Sequence, residues 1–292
     1  PLGWKRLTDT PAYPVCVLQT HGDYVNFSKS IQEHSYNWSS ACYDRKLRTT
    51  VVFQEALTGV VPHQKRYYEL AEFVRALLAA HYHGTDGKLA QAWLAEGLGA
   101  YLAFHLGFEP KVLDTRRVDT EVLDLLLRLS QDTVAQEVYL VPIAEFVGLR
   151  GMDEGEAWMQ RSSKRVNAAK FDRGMAWYAF HAQSAAWMHF LHDADQGRHR
   201  ARLMTFLSSA MAGDGGASAL KRAFEGVALD ELNRVFYRWV YAQYQAAHGG
   251  AMPDVSWIDK LFKSRTGGTG AASAPAFDAR EVAPPHDDVA AA

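Results

Sequence analysis

Apolar residues recur at spacings of three and four over most of this chain, and no other feature limits its fold as strongly. From Gln64 onward, Tyr67, Leu70, Ala71, Val74, Leu77 and Leu78 form one stripe, which predicts a helix running to about Tyr82. The turn formers His83-Gly84-Thr85-Asp86-Gly87 end it, and a second helix is expected from Leu89 to about Leu106, closed by Gly107. A third is expected from Val118 to about Val138, with Val122, Leu125, Leu126 and Leu129 on its core side. Later ones are expected at Gly174 to Asp193, Arg198 to Met211, Ala217 to Phe224 and Leu229 to Ala247. Strand signals are confined to the start of the chain. Val15-Cys16-Val17-Leu18 reads as a short buried strand and Thr49-Thr50-Val51-Val52-Phe53 as a second, with a helix from Asp23 to about His34 between them.

These elements predict an α-rich α+β protein, with a small N-terminal sheet, a helical subdomain and a cleft between them. Residues 1–13 read as a lead-in, 14–62 as a small α/β subdomain, 63–247 as the helical subdomain and 248–292 as linker and tail. From Ser264 the tail is rich in Gly, Ala, Ser and Pro and is expected to be disordered, because it lacks the apolar groups to fold. Gly151 to Arg173 is polar and charged with little periodicity, and is expected to be a long surface loop crossing the cleft. There is no internal repeat.

Charge excludes some partners. Lys and Arg total 31 against 33 Asp and Glu, which gives no electrostatic reason for nucleic acid or an anionic membrane to bind. No run of about 18 apolar residues is present, so no transmembrane segment is expected. The chain begins at Pro1, and an upstream signal peptide would be invisible, so the compartment stays open. Cys16 and Cys42 are too few for a disulfide framework and are expected to be buried thiols, with their pairing left open. The eight Trp and 13 Tyr fit aromatic helix packing. Gly213-Asp214-Gly215-Gly216 separates two predicted helices and reads as a turn, not a phosphate loop.

Two short words bear on chemistry. Tyr68-Glu69-Leu70-Ala71-Glu72-Phe73 lies on the first long predicted helix, and Trp93-Leu94-Ala95-Glu96-Gly97-Leu98-Gly99-Ala100-Tyr101 on the next, with Glu96 24 residues after Glu72. Together they resemble the core of the peptidase-MA-like (gluzincin) zinc metallopeptidases, a family of mostly uncharacterised bacterial proteins. In such enzymes H-E-x-x-H places two imidazoles on one helix face to bind zinc, the intervening Glu activates a water, and a Glu on a second helix completes the site. The W-L-x-E-G-x-x-x-Y word around Glu96 stands here as in the family. The first word is degenerate: with Glu69 in the general-base slot, Tyr68 and Glu72 occupy the histidine positions, giving Y-E-L-A-E. Farther along, Phe180-His181-Ala182-Gln183-Ser184 resembles the family's Y-x-Q-S helix behind the metal, with His181 where Tyr is common. Phe224-Glu225-Gly226 and Leu232 to Trp239 resemble the end of such domains, so the likeness runs over roughly residues 14–247.

The resemblance implies a helical hairpin that brings Glu69, Glu72 and Glu96 together without the imidazoles zinc requires. A phenol and carboxylates suit harder ions and demand a costly tyrosinate, so no zinc cofactor is expected and no water is acidified near neutral pH. The expected function is therefore that of a catalytically inactive metallopeptidase-like domain, binding a peptide or protein in the former substrate cleft. Tyr68, Glu72 and Glu96 would form the cleft floor, Trp93, Tyr101, Val51 and Phe53 would line it, and Val51 to Glu55 would supply an edge strand. One alternative is a hydrolase with a noncanonical site, using Glu69 as base with an oxygen-ligated metal or a cluster of His181, His189 and His192, which fall near one helix face. Another is a structural assembly module. Ser184 lies three residues after His181, but no G-x-S-x-G elbow surrounds it.

Overall fold

Thr49-Thr50-Val51-Val52-Phe53 is the most β-prone stretch of the chain, and it forms the middle of the sheet. The computed structural model describes residues 14–31, 41–44, 47, 49–53, 92–107, 120–168, 170–211, 214 and 217–249. The protein is an α-rich α+β chain with a small three-stranded mixed sheet. Its residues fall into two compact units that interleave in sequence: 1–115, 149–151 and 202–223 make the first, and 116–148, 152–201 and 224–292 the second.

In the first unit, β1 (Val15–Leu18), α1 (His21–Ile31), β2 (Ala41–Asp44) and β3 (Thr49–Phe53) follow one another, and the sheet order is β1-β3-β2. β1 runs parallel to β3 and β2 antiparallel to it. Thr20 and Asp23 start α1 as a reciprocal cap: Asp23 N donates to Thr20 Oγ1 at 3.2 Å and Thr20 N donates to Asp23 Oδ2 at 3.1 Å. Tyr24 of α1 then packs its ring 5.7 Å from that of Phe53, closing a core with Ala41, Val51 and Val52. Cys16 and Cys42 are both in register with Val51, one on each side of it. Two strand spacings, about 10 Å, therefore separate their backbones, beyond the roughly 7 Å a disulfide spans, and the two do not form a disulfide.

α2 (Ala92–Gly107) contains the Trp93 to Tyr101 word. Trp93, Leu94, Leu98, Ala100 and Tyr101 are all buried, so this helix is enclosed on every side instead of along one stripe. The first unit also takes α8 (Arg200–Met211) from Arg202 onward and α9 (Ala217–Ala223). Phe206 of α8 stacks on Trp93 with ring centroids 5.7 Å apart.

The second unit contains α3 (Thr120–Gln131), α4 (Thr133–Tyr139), α5 (Ile143–Phe146), α6 (Met152–Arg165), α7 (Arg173–Gly197) and α10 (Leu229–His248). The single helix expected over Val118 to Val138 is broken at Asp132, whose carboxylate accepts from Val134 N at 2.8 Å and Ala135 N at 2.9 Å and caps α4. The loop expected over Gly151 to Arg173 is instead largely α6. Gly155, Trp158, Met159, Ser162 and Ser163 form its buried stripe, at helical spacing but with only two large apolar members. Asn167 ends it at φ 50°, with Ala168 N bonded to Ser163 O and Asn167 N to Lys164 O, the Schellman pattern. α7 packs against α3, α6 and α10. Its Trp187 and Phe190 lie 5.2 Å and 5.6 Å, centroid to centroid, from Phe236 of α10.

Between α4 and α5 the chain runs extended through Val141, and that segment is buried. Its polar backbone is therefore met by side chains. Gln183 of α7 accepts from Val141 N at 3.2 Å and donates to Val141 O at 2.5 Å, so one primary amide satisfies both groups of one residue. Asn233 of α10 accepts from Ile143 N at 3.3 Å.

Candidate functional site

Tyr68, Glu69 and Glu72 lie outside the described residues, as does the predicted helix that carries them. Glu96 lies on α2, buried to 8% exposure and engaged by a partner within the chain. The four residues expected to line a cleft are core residues: Trp93 is 0% exposed, Tyr101 4%, Val51 0% and Phe53 5%. Val51 and Phe53 also stand on the central strand, flanked on both sides, so the edge expected over Val51 to Glu55 is not theirs over the described part of that segment.

Among the described strands the sheet's edges are β2 and β1, and β1 was expected to be buried. Thr50 N donates to Pro14 O at 3.0 Å, and parallel pairing alternates, so Cys16 and Leu18 turn their backbone groups toward β3. Val15 and Val17 turn theirs away, and the same alternation puts both side chains on one face, 42% and 52% exposed. This edge carries no charge and no Pro within it, so of the usual devices against strand addition its shortness is the one it keeps.

Of the three histidines that share a face of α7, two meet a carboxylate the sequence reading missed. His192 Nδ1 lies 2.7 Å from Asp193 Oδ1, and His189 Nδ1 lies 3.4 Å from Asp193 Oδ2. Arg200 approaches Oδ1 at 3.7 Å. An ionised carboxylate only accepts, so the Nδ1 of His192 carries the proton in that bond. Asp193 keeps only 5% of its side chain exposed. Burial alone would raise its pKa, but the hydrogen bonds and charge of His189 and His192 outweigh it and hold the carboxyl below its ordinary value. The sequence signal was available: Asp193 is four residues after His189 and one after His192 at the end of an apolar helix. His181 lies two turns earlier, half-buried and with a partner of its own. Ser184 is 0% exposed, and its hydroxyl donates to Phe180 O at 2.7 Å, which is a structural bond and leaves no accessible nucleophile.

Among the described residues no group of three or more His, Cys, Asp and Glu side chains could hold a metal ion. No described helix is long and apolar enough to cross a membrane. Compared with family models, curated proteins and solved structures, the chain matches none.

Proposed function

We propose that the chain is a catalytically inactive, gluzincin-like metallopeptidase domain that binds an extended peptide or protein segment. The observation that carries this reading is the word Tyr68-Glu69-Leu70-Ala71-Glu72, which places a phenol and a carboxylate where zinc needs two imidazoles, ahead of a family-like word at Trp93 to Tyr101. The second word's helical conformation and the buried Glu96 within it support the reading. The backbone edge of β1 supports the binding role: Val15 and Val17 offer N–H and C=O groups in strand geometry beside two exposed apolar side chains.

The test is selection of peptides from a displayed random library against the full chain, followed by fluorescence anisotropy on chains with and without Val17→Pro. Proline removes the outward N–H of Val17 and leaves the β1–β3 ladder intact. The expected result is extended peptides with alternating apolar residues, bound at least about tenfold more weakly by Val17→Pro, since a lost hydrogen bond of about 1.4 kcal/mol is a factor of ten. Failure to select any peptide, or equal affinity in the variant at an unchanged melting temperature, would sink the proposal.

A further inference from the structure

α7 ends in strained backbone. Ala194 turns extended at φ −60° and ψ 144°, and then Asp195 (φ 49°), Gln196 (φ 58°) and Gly197 (φ 83°) stand in succession in the left-handed region. Only Gly197 enters that region without strain, because elsewhere Cβ crowds the following carbonyl oxygen. Ala194 and Gln196 are good helix formers, so at those two positions propensity favours right-handed helix over the conformation they adopt, up to the stop at Gly197. Something must hold the bend.

The fastening is a set of contacts converging on Asp193. Arg200, at the start of α8, folds back over Gly197, where an added Cβ would lie 3.0 Å from its guanidinium. From there its Nε donates to His192 O at 3.1 Å, meeting a carbonyl left open by the helix end, and its NH2 lies 3.7 Å from Asp193 Oδ1. His189 and His192 hold the same carboxylate from the α7 side. Arg198 adds backbone bonds to Ala194 O at 3.2 Å and Asp195 O at 3.1 Å, with its side chain 3.9 Å from Asp195. Arg200 remains 49% exposed, so the fastening is open to solvent on one side.

We propose that the α7–α8 corner is a two-state hinge, bent while Arg200 is latched to Asp193 and His192, and relaxing toward continuous helix through residues 194–196 when that latch is released. Strained non-glycine backbone persists only where its surroundings over-determine it, and here those surroundings combine the buried Ala194 and His199 with polar contacts of Arg200 and Asp193 that can be removed one at a time.

A mutant cycle tests the coupling. With the latch intact, Gln196→Gly removes left-handed strain and is expected to raise the melting temperature. In an Asp193→Asn background the corner no longer enforces that conformation, so the same glycine is expected to leave the melting temperature unchanged or lower it, as glycine does within a helix. An equal rise in both backgrounds would overturn the proposal. Should Asp193→Asn fail to fold, Arg200→Ala serves as the released background. Hydrogen exchange gives a second reading there. Amides 195 and 196, each of which gains an i−4 carbonyl partner in continuous helix, are expected to exchange at least about tenfold more slowly than in the native chain while those of 182–190 hold their protection; unchanged or faster exchange at the corner would contradict the proposal.

Discussion

Gln183→Leu is expected to destabilise the protein by about 3–4 kcal/mol, because it removes both polar partners of Val141 without giving that residue access to water. Val141 is 0% exposed, and the primary amide of Gln183 is what meets its N–H and its C=O. Leucine matches glutamine closely in volume, so the loss arises from two stranded backbone groups and not from a cavity. Thermal denaturation should show a fall of roughly 10 °C, and a neutral result would mean that the 140–143 segment finds other partners. Gln183 thus has a structural role: it holds a buried extended segment against α7.

Asp193→Asn should cost about 2–3 kcal/mol at neutral pH, the range for hydrogen bonds to an ionised group, with His189, His192 and Arg200 all facing the lost charge. Its pH dependence has a definite sign. The folded-state pKa of Asp193 is lowered, so its contribution is fully present above the unfolded value of about 3.9 and is lost as pH falls through the folded value. Chemical denaturation of both chains at pH 5 and at pH 2 should therefore show a gap at pH 5 that narrows in strong acid. A gap that failed to narrow by pH 2 would contradict the assigned cause.

What could be read from the chain follows from which interactions are local. β1, β3, α7 and α10 carry dense apolar spacing and form where expected. α6 escaped notice because Gly155, Ser162 and Ser163 fill its buried stripe, and small residues carry no hydrophobic period. β2 is the short run Ala41-Cys42-Tyr43-Asp44, which pairs with β3 without a strand signature of its own. The central place of β3 is a matter of strand order, set by non-local pairing, and so the described part of the edge expected over Val51 to Glu55 is central, with β1 and β2 as the edges among the described strands. Trp93 and Tyr101 drew attention as members of a family word, and burial gives them packing roles. Asp132 was readable as a cap but was masked by the apolar residues on either side of it.

The proposed function rests on a metallopeptidase-like site that has lost its metal along with its histidines. Elemental analysis by inductively coupled plasma mass spectrometry, on untagged protein before and after dialysis against zinc, tests it most directly. The account predicts no stoichiometric zinc in either sample. Close to one equivalent per chain, retained through a metal-free wash, would contradict it and mean that other side chains have taken the place of the two imidazoles.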